Sequence, residues 1–222
     1  MTKNLFGLVF SLLALPALAQ PSLKMMIPAN PGGGWDQTGR ALAAAMQSAK
    51  LVSSVQFDNK GGAAGAIGLA QFVASAKGDP NALMMGGMVM VGGLHLQKSP
   101  VNLSMVTPIA RLTSEWEVIT VAANSPYKTL ADLMNAFKSN PGKVSWGGGS
   151  AGGTDHILVG LMARAVGVDP AKVNYVAFKG GGEAVAAIIG CHVSAGVSGI
   201  GEFAEQIKGG KMRALAVSAP AK

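Results

Sequence analysis

The chain has 222 residues, 49% hydrophobic and only 13% charged, a balance opposite to that of disordered segments and enough for one large domain or two small ones. Its formal charge is +7, but the basic residues are scattered singly and aromatics make up 5%, which excludes a basic run or a stacking platform for nucleic acid. An acidic small molecule fits this charge best as a partner, beside a merely solubilising role, and with Cys191 as the sole cysteine the fold must be held by its core rather than by a disulfide.

The chain opens with Lys3 and an apolar run from Leu5 to Leu15, followed by Ala17-Leu18-Ala19 as a small-x-small cleavage site. This predicts a cleavable signal peptide over 1–19, Gln20 as the mature N-terminus and export to the periplasm. The run is shorter than the roughly 20 residues a bilayer requires, and Gly, Pro or a charge interrupts every later apolar stretch. Leu23 to Ile27 then reads as a strand, Pro28 to Gly34 as a loop and Asp36 to Ala49 as a helix, with apolar positions at Ala41, Leu42, Ala45, Met46 and Ala49. The unit repeats with strand Ser54 to Phe57, loop Asn59 to Gly65 and a helix through Ile67 to Ala76; Ala82 to Met85 and Val118 to Ala122 read as further strands.

From there the rhythm tightens. Helix Leu130 to Ser139 leads to strand Val144 to Trp146, loop Gly147 to Gly153 and helix Thr154 to Val166. Strand Val173 to Ala177 precedes loop Phe178 to Gly182 and helix Glu183 to Ile189. Strand His192 to Val197, loop Ser198 to Gly201, a short helix through Phe203 to Ile207 and strand Met212 to Val217 complete the pattern. Strands alternating with helices predict βαβ crossovers, mainly parallel sheets and two α/β lobes, 20–120 and 121–218. The first crossing is expected near Val118 to Ser125, and 219–222 as the start of a return crossing.

In open α/β sheets ligands sit beyond the carboxyl ends of the strands, and the glycines concentrate there: Pro31 to Asp36, Gly61 to Gly65, Gly147 to His156 and Gly180 to Glu183. Without a Cβ the backbone can approach a ligand and turn several N–H groups onto one anion, and a helix starting there adds free donors and a positive dipole end. Two lobes facing each other with such loops would enclose a multiply charged carboxylate. Tight βα turns also use glycine for their own sake. Asp36 and Asp155 read as helix caps before ligand contacts, and Thr154 as either an N-cap or a hydroxyl offered to the ligand.

Three other chemistries compete. Gly147-x-Gly149-x-x-Gly152 matches a dinucleotide fingerprint, but Asp169 beside Pro170 does not stand at a strand end. Gly148-x-Ser150-x-Gly152 matches a nucleophile elbow, with Asp169 and His192 in hydrolase order, which keeps a secreted α/β serine hydrolase using Ser150 as the alternative function. His192, however, opens a strand opposite the loop ends. His95, His156 and His192 pair with no second ligand at helical spacing, so neither metal nor cofactor is expected; Cys191 and His192 read as turn residues.

The loops carry a further signature: Pro31-Gly-Gly-Gly-Trp-Asp36 with Gly39-Arg40, Asn59-Lys-Gly-Gly-Ala-Ala-Gly65 with Ile67-Gly68, Gly78-Asp-Pro80, Val106-Thr-Pro-Ile-Ala-Arg111, Asn140-Pro-Gly-Lys143 and Lys211-Met-Arg-Ala-Leu-Ala216. In these the chain resembles the Bug-type substrate-binding proteins of tripartite tricarboxylate transporters. Trp35, Ser145 to His156, Phe178 to Glu183 and Gly196 to Gly199 resemble the tricarboxylate-binding branch. The resemblance implies a Venus-flytrap, periplasmic binding protein-like fold. It also implies a non-enzymatic, monomeric receptor for a di- or tricarboxylate, citrate first, serving integral membrane transporter subunits. The implied site takes Ala29, Asn30, Gly33, Gly34, Trp35, Gly62, Ala63, Ala64 and Gly65 from the first lobe. From the second it takes Gly149, Ser150, Thr154, His156, Gly181, Gly182, Glu183 and Ser198, with Glu183 expected to cap its helix or bind a backbone N–H. Members of the family run longer, so the first lobe is expected to be incomplete, with an exposed apolar edge and weakened affinity.

Overall fold

The computed structural model describes residues 20–220, and the expected leader over 1–19 lies outside the described residues. Strand β1 (Ser22–Ile27) buries Met25 and Ile27 completely and pairs in parallel with β2 (Ser54–Asn59) and β3 (Ala82–Met84), in the order β2-β1-β3. Helix α1 (Gly34–Ser48) joins the first two strands and α2 (Ala66–Ser75) the next. Gly39 of α1 lets the helix lie down on the sheet: a Cβ there would stand 3.0 Å from Met25 Sδ and 3.2 Å from Ile27 Cδ1.

Helix α3 (Met88–Leu96) has no counterpart in the sequence reading. It is apolar on every side and carries Gly92-Gly93, so it shows no 3.6-residue stripe. Burial of Met90 and Leu94 against Leu69 makes it a helix nonetheless, by packing rather than propensity.

The second sheet has the order β6-β5-β7-β4-β8, formed by β4 (Glu117–Ala122), β5 (Ser145–Gly148), β6 (Asn174–Ala177), β7 (Ala195–Gly199) and β8 (Met212–Val217). Strands β6, β5 and β7 run parallel, but β4 runs antiparallel to both β7 and β8, so the sheet is mixed. Because β4 belongs to this sheet from Glu117 onward, the passage between sheets lies before it, ahead of the expected Val118 to Ser125. In the segment leading to it, Met105, Ile109, Leu112 and Trp116 are 47–80% exposed.

Helix α4 (Leu130–Ser139) matches its expected bounds because its ends are written locally. Thr129 Oγ1 accepts from the Asp132 N–H at 3.2 Å, and Asp132 Oδ2 accepts from the Thr129 N–H at 2.9 Å, a closed capping box. Helix α5 (Thr154–Ala165) buries Asp155, Val159 and Ala163 at a four-residue spacing, and α6 (Gly181–Ile189) buries Ala184, Ala187 and Ile188. Strand β7 begins three residues later than expected, leaving Cys191 and His192 in the turn after α6; it then passes directly into α7 (Ile200–Lys208) without the expected loop. Among the described residues no helix is long and apolar enough to cross a membrane.

The core of the second lobe centres on Trp146, fully buried on β5, with Phe137 of α4 packed edge-on at 5.2 Å and 78°. Phe137→Ala should cost about 3–5 kcal/mol. Urea unfolding would show this as a lower midpoint at unchanged slope, and a loss below about 1 kcal/mol would mean that the cluster does not hold the lobe.

Candidate functional site

In each sheet one strand is flanked by the next two strands of the chain, one on each side: β2 and β3 about β1, and β6 and β7 about β5. Loops leaving such strands splay apart and open a crevice at the carboxyl end. The loop after β1 and the loop after β5 face one another across a cleft with about 700 Å³ of open space, including solvent at its mouth.

The first-lobe wall is built by two loops. Asn59 Nδ2 donates to the Ala29 carbonyl and to Asp36 Oδ1, each at 3.1 Å, and Asp36 Oδ2 accepts from the Gly32 N–H at 3.0 Å. Arg40 completes this clamp at 3.0 Å. Burial works against the Asp36 charge, yet Arg40, the Gly32 N–H and Asn59 together hold its carboxyl below the usual range. The second loop turns left-handed through four consecutive residues: Gly62 (φ +124°), Ala63 (+49°), Ala64 (+54°) and Gly65 (+92°). Left-handed alanine costs roughly 1–2 kcal/mol per residue, strain of the kind that accumulates at functional loops.

The second-lobe wall is held the same way. Asp155 Oδ2 accepts from the Gly149 N–H at 2.7 Å, Asp155 Oδ1 accepts from Thr154 Oγ1 at 3.0 Å, and Tyr175 donates to the Gly149 carbonyl at 2.8 Å. Gly153, not Thr154, is the N-cap of α5, so the Thr154 hydroxyl lies at the cleft. Glu183 accepts from the Lys179 N–H at 3.1 Å, the backbone contact expected of it, and also from Asn30 Nδ2 of the other lobe at 2.5 Å.

Of the expected site residues, Ala29, Gly33, Gly34, Trp35, Gly62, Ala64, Gly149, Ser150, Thr154, Gly181 and Ser198 line the cleft. Asn30, Ala63, Gly65, His156, Gly182 and Glu183 do not. His156 accepts from the Gly152 N–H through Nδ1 at 3.1 Å and stacks on Tyr175 at 4.3 Å, bracing its loop, and burial lowers its pKa. Ala63 faces a separate shallow depression beside Leu96 and Gln97. The elbow partners proposed for Ser150 are elsewhere: Asp169 caps a short turn by accepting from the Ala171 N–H at 3.0 Å, and His192 lies before β7, at the opposite end from the loops.

Sequence reasoning missed three acidic side chains, Glu115, Glu117 and Glu202, and read Asp155 as a helix cap before a ligand contact, whereas Gly153 is the N-cap of α5. With Lys179 as the one basic residue in the lining, the cleft is acidic although the chain is basic. Glu115 and Glu117 arrive by topology. Antiparallel β4 brings its start, not its end, to the ligand side, with Glu117 opposite Gly199 at the end of β7. The available signal was a Glu-x-Glu pair before an apolar strand in a chain with few charges. Burial, then repulsion from Asp155, raises Glu115; the same causes, with smaller pushes from Glu115 and Glu202, raise Glu117 to about 7. Glu117 Oε2 is buried with no donor on it. Asp155 is likewise pushed up by burial, against its hydrogen bonds from Gly149 and Thr154. Among the described residues no group of three or more His, Cys, Asp or Glu side chains is disposed to hold a metal ion.

A two-lobed α/β frame with glycine-rich helix starts meeting across a cleft defines the periplasmic binding protein class. The family model described as "Tripartite tricarboxylate transporter family receptor" matches residues 39–222, and the chain belongs to that family. Among curated relatives, Protein BugT of Bordetella pertussis is 29% identical over 200 residues, covering 88% of this chain; the chain spans 60% of that relative's length. Among solved structures, one described as a periplasmic transporter superposes with a TM-score of 0.78 at 27% identity, over 93% of this chain and 68% of the other. MatC of Rhodopseudomonas palustris, solved with bound malate, has the same fold, with a TM-score of 0.79 at 21% identity over 94% and 69% of the two chains. The family is one of binding receptors, not enzymes.

The raised Glu117 pKa carries a stability consequence. A group whose folded pKa exceeds its unfolded value of about 4.5 stabilises the fold below that value and loses the contribution as pH rises through about 7. Solvent at the cleft mouth screens part of the effect, leaving on the order of 1–2 kcal/mol. Chemical denaturation at pH 5.5 and 8 should show lower stability at pH 8, and Glu117→Gln should flatten the difference; an unchanged slope would remove Glu117 as its source.

Proposed function

We propose that this chain is an extracytoplasmic solute-binding receptor that captures a di- or tricarboxylate, citrate first, and delivers it to the integral membrane subunits of a tripartite tricarboxylate transporter. The observation carrying this reading is that the loops at the helix starts of both lobes already bind carboxylates through backbone N–H groups. Gly32, Gly34 and Gly149 each donate to a carboxylate oxygen of the protein itself. Gly34 opens α1, so its N–H is unsatisfied within the helix and suits an anion by dipole as well as by hydrogen bond, while Gly32 and Gly149 offer theirs from the loops that lead into α1 and α5. Membership of the receptor family supports the same class of ligand, and the malate bound by MatC shows what one protein of this fold takes.

The Ala29 to Trp35 and Gly62 to Gly65 loops would hold one carboxylate, partly through waters, while Ser150, Thr154 and the start of α6 receive the rest. Export by the leader over 1–19 would put the receptor in the periplasm, acting as a monomer.

Thermal unfolding with citrate, isocitrate, tricarballylate, malate, succinate, glutamate and nicotinate tests the reading. A ligand that binds only the folded chain stabilises it by about 2.7 kcal/mol at a hundredfold excess over its dissociation constant. A shift confined to the tricarboxylates is expected, and a cooperative transition that none of them moves would remove this ligand class. Ser150→Ala should weaken binding by only about 1 kcal/mol, since it deletes one neutral hydrogen bond.

A further inference from the structure

Four carboxylates accept backbone N–H groups around the cleft, and three of them are local. Asp36 reaches back to Gly32, Asp155 to Gly149 and Glu183 to Lys179, each within six residues along the chain. These backbone contacts form within their own loops, although Glu183 also accepts from Asn30 Nδ2 of the first lobe. Glu202 is different. It is the third residue of α7 in the second lobe, yet its Oε1 accepts from the N–H of Gly34, the first residue of α1 in the other lobe, 168 residues away. Its Oε2 accepts from the Ser198 hydroxyl at 2.6 Å. The same carboxylate lies against Gly181, the first residue of α6, where any Cβ would collide with it.

A carboxylate therefore occupies the point where the starts of α1 and α6 converge, and it is supplied by a side chain able to leave. We propose that Glu202 is a built-in competitor of the ligand: it fills the carboxylate seat at the start of α1, latches the lobes together in the ligand-free chain, and must be displaced for a ligand carboxylate to bind there. This rests on the receptor reading above.

The surroundings decide how firmly it sits. The Gly34 N–H and the Ser198 hydroxyl on β7 hold it, and Lys179, before α6, is the one basic side chain in the lining. Asp155 on α5, Glu115 before β4 and Glu117 on β4 oppose its charge. Burial and these acidic neighbours raise the Glu202 pKa, against the two hydrogen bonds that lower it. A falling pH therefore neutralises the competitor and frees the seat. Binding of a carboxylate should tighten as the pH falls until the ligand itself takes up protons, and comparing variant with wild type on one ligand cancels the ligand's own titration.

The test uses the Glu202→Gln chain, with Glu202→Ala as a second variant in case the amide still accepts from Gly34. In the ligand-free wild type, the Gly34 amide proton should move downfield with rising pH as Glu202 ionises, and the variants should lose that step. Calorimetric titration with citrate at pH 8 should give a dissociation constant about tenfold lower in the variants, in keeping with the removal of a charge-assisted hydrogen bond. The gain should shrink as the pH is lowered. A Gly34 amide that does not titrate, or variants that bind citrate no tighter than wild type, would overturn the competition while leaving the receptor reading standing. If Gly34 titrates but neither wild type nor variants bind any carboxylate, the competition and the receptor reading fall together.

Discussion

The first backbone N–H groups of a helix have no partner within it, and this fold aims several such sets at one cleft. The constraint shapes nearly everything around the site. It places glycine where the backbone must come close, as at Gly181, and the loop leading into α2 passes through four positive-φ residues, Gly62 to Gly65. It also explains why a carboxylate sits at Gly34, and the loop N–H groups of Gly32 and Gly149 are filled the same way: an unfilled donor in a half-buried cleft is costly, so the chain satisfies it from its own side chains. A receptor built on such donors selects anions without needing a cation opposite each charge.

The charge of the cleft runs against that of the chain. Eighteen Lys and Arg residues against eleven Asp and Glu make the protein basic, yet Glu115, Glu117, Asp155 and Glu202 line the cleft with Lys179 as the single basic side chain among them. Bulk charge pointed to an acidic partner; the site answers with backbone dipoles and an acidic wall. The raised pKa of Glu117, about 7, and the upward shifts of Glu115, Asp155 and Glu202 mean that the wall carries less charge than its composition suggests. This makes the proposed anion capture compatible with four carboxyl groups.

What could be read from the sequence was whatever is encoded locally. Thr129 and Asp132 mark the start of α4, Met212 to Val217 is a strand with the bounds the sequence suggests, and the glycine loops after β1, β2 and β5 stand out. The family resemblance, drawn from those loops, agrees with the family match over residues 39–222. Features decided by tertiary structure were not legible. Helix α3 has no apolar stripe to betray it, and β4 looks like any strand until its antiparallel pairing turns Glu117 toward the cleft. The direct passage from β7 into α7 left Glu202 between an expected loop, Ser198 to Gly201, and an expected helix from Phe203, and its reach to Gly34 joins residues no local pattern could connect. His156 misled for a related reason: it belongs to the right loop but faces Tyr175 rather than the cleft.

The central claim is that backbone donors from both lobes grip one carboxylate ligand together, and hydrogen–deuterium exchange resolved to single amides tests it most directly. Adding citrate should slow exchange at Gly33 and Gly34 in the first lobe and at Ser150 and Gly181 in the second, with the same dependence on ligand concentration. Protection in one lobe alone, or at amides remote from these loops, would contradict the two-lobed grip.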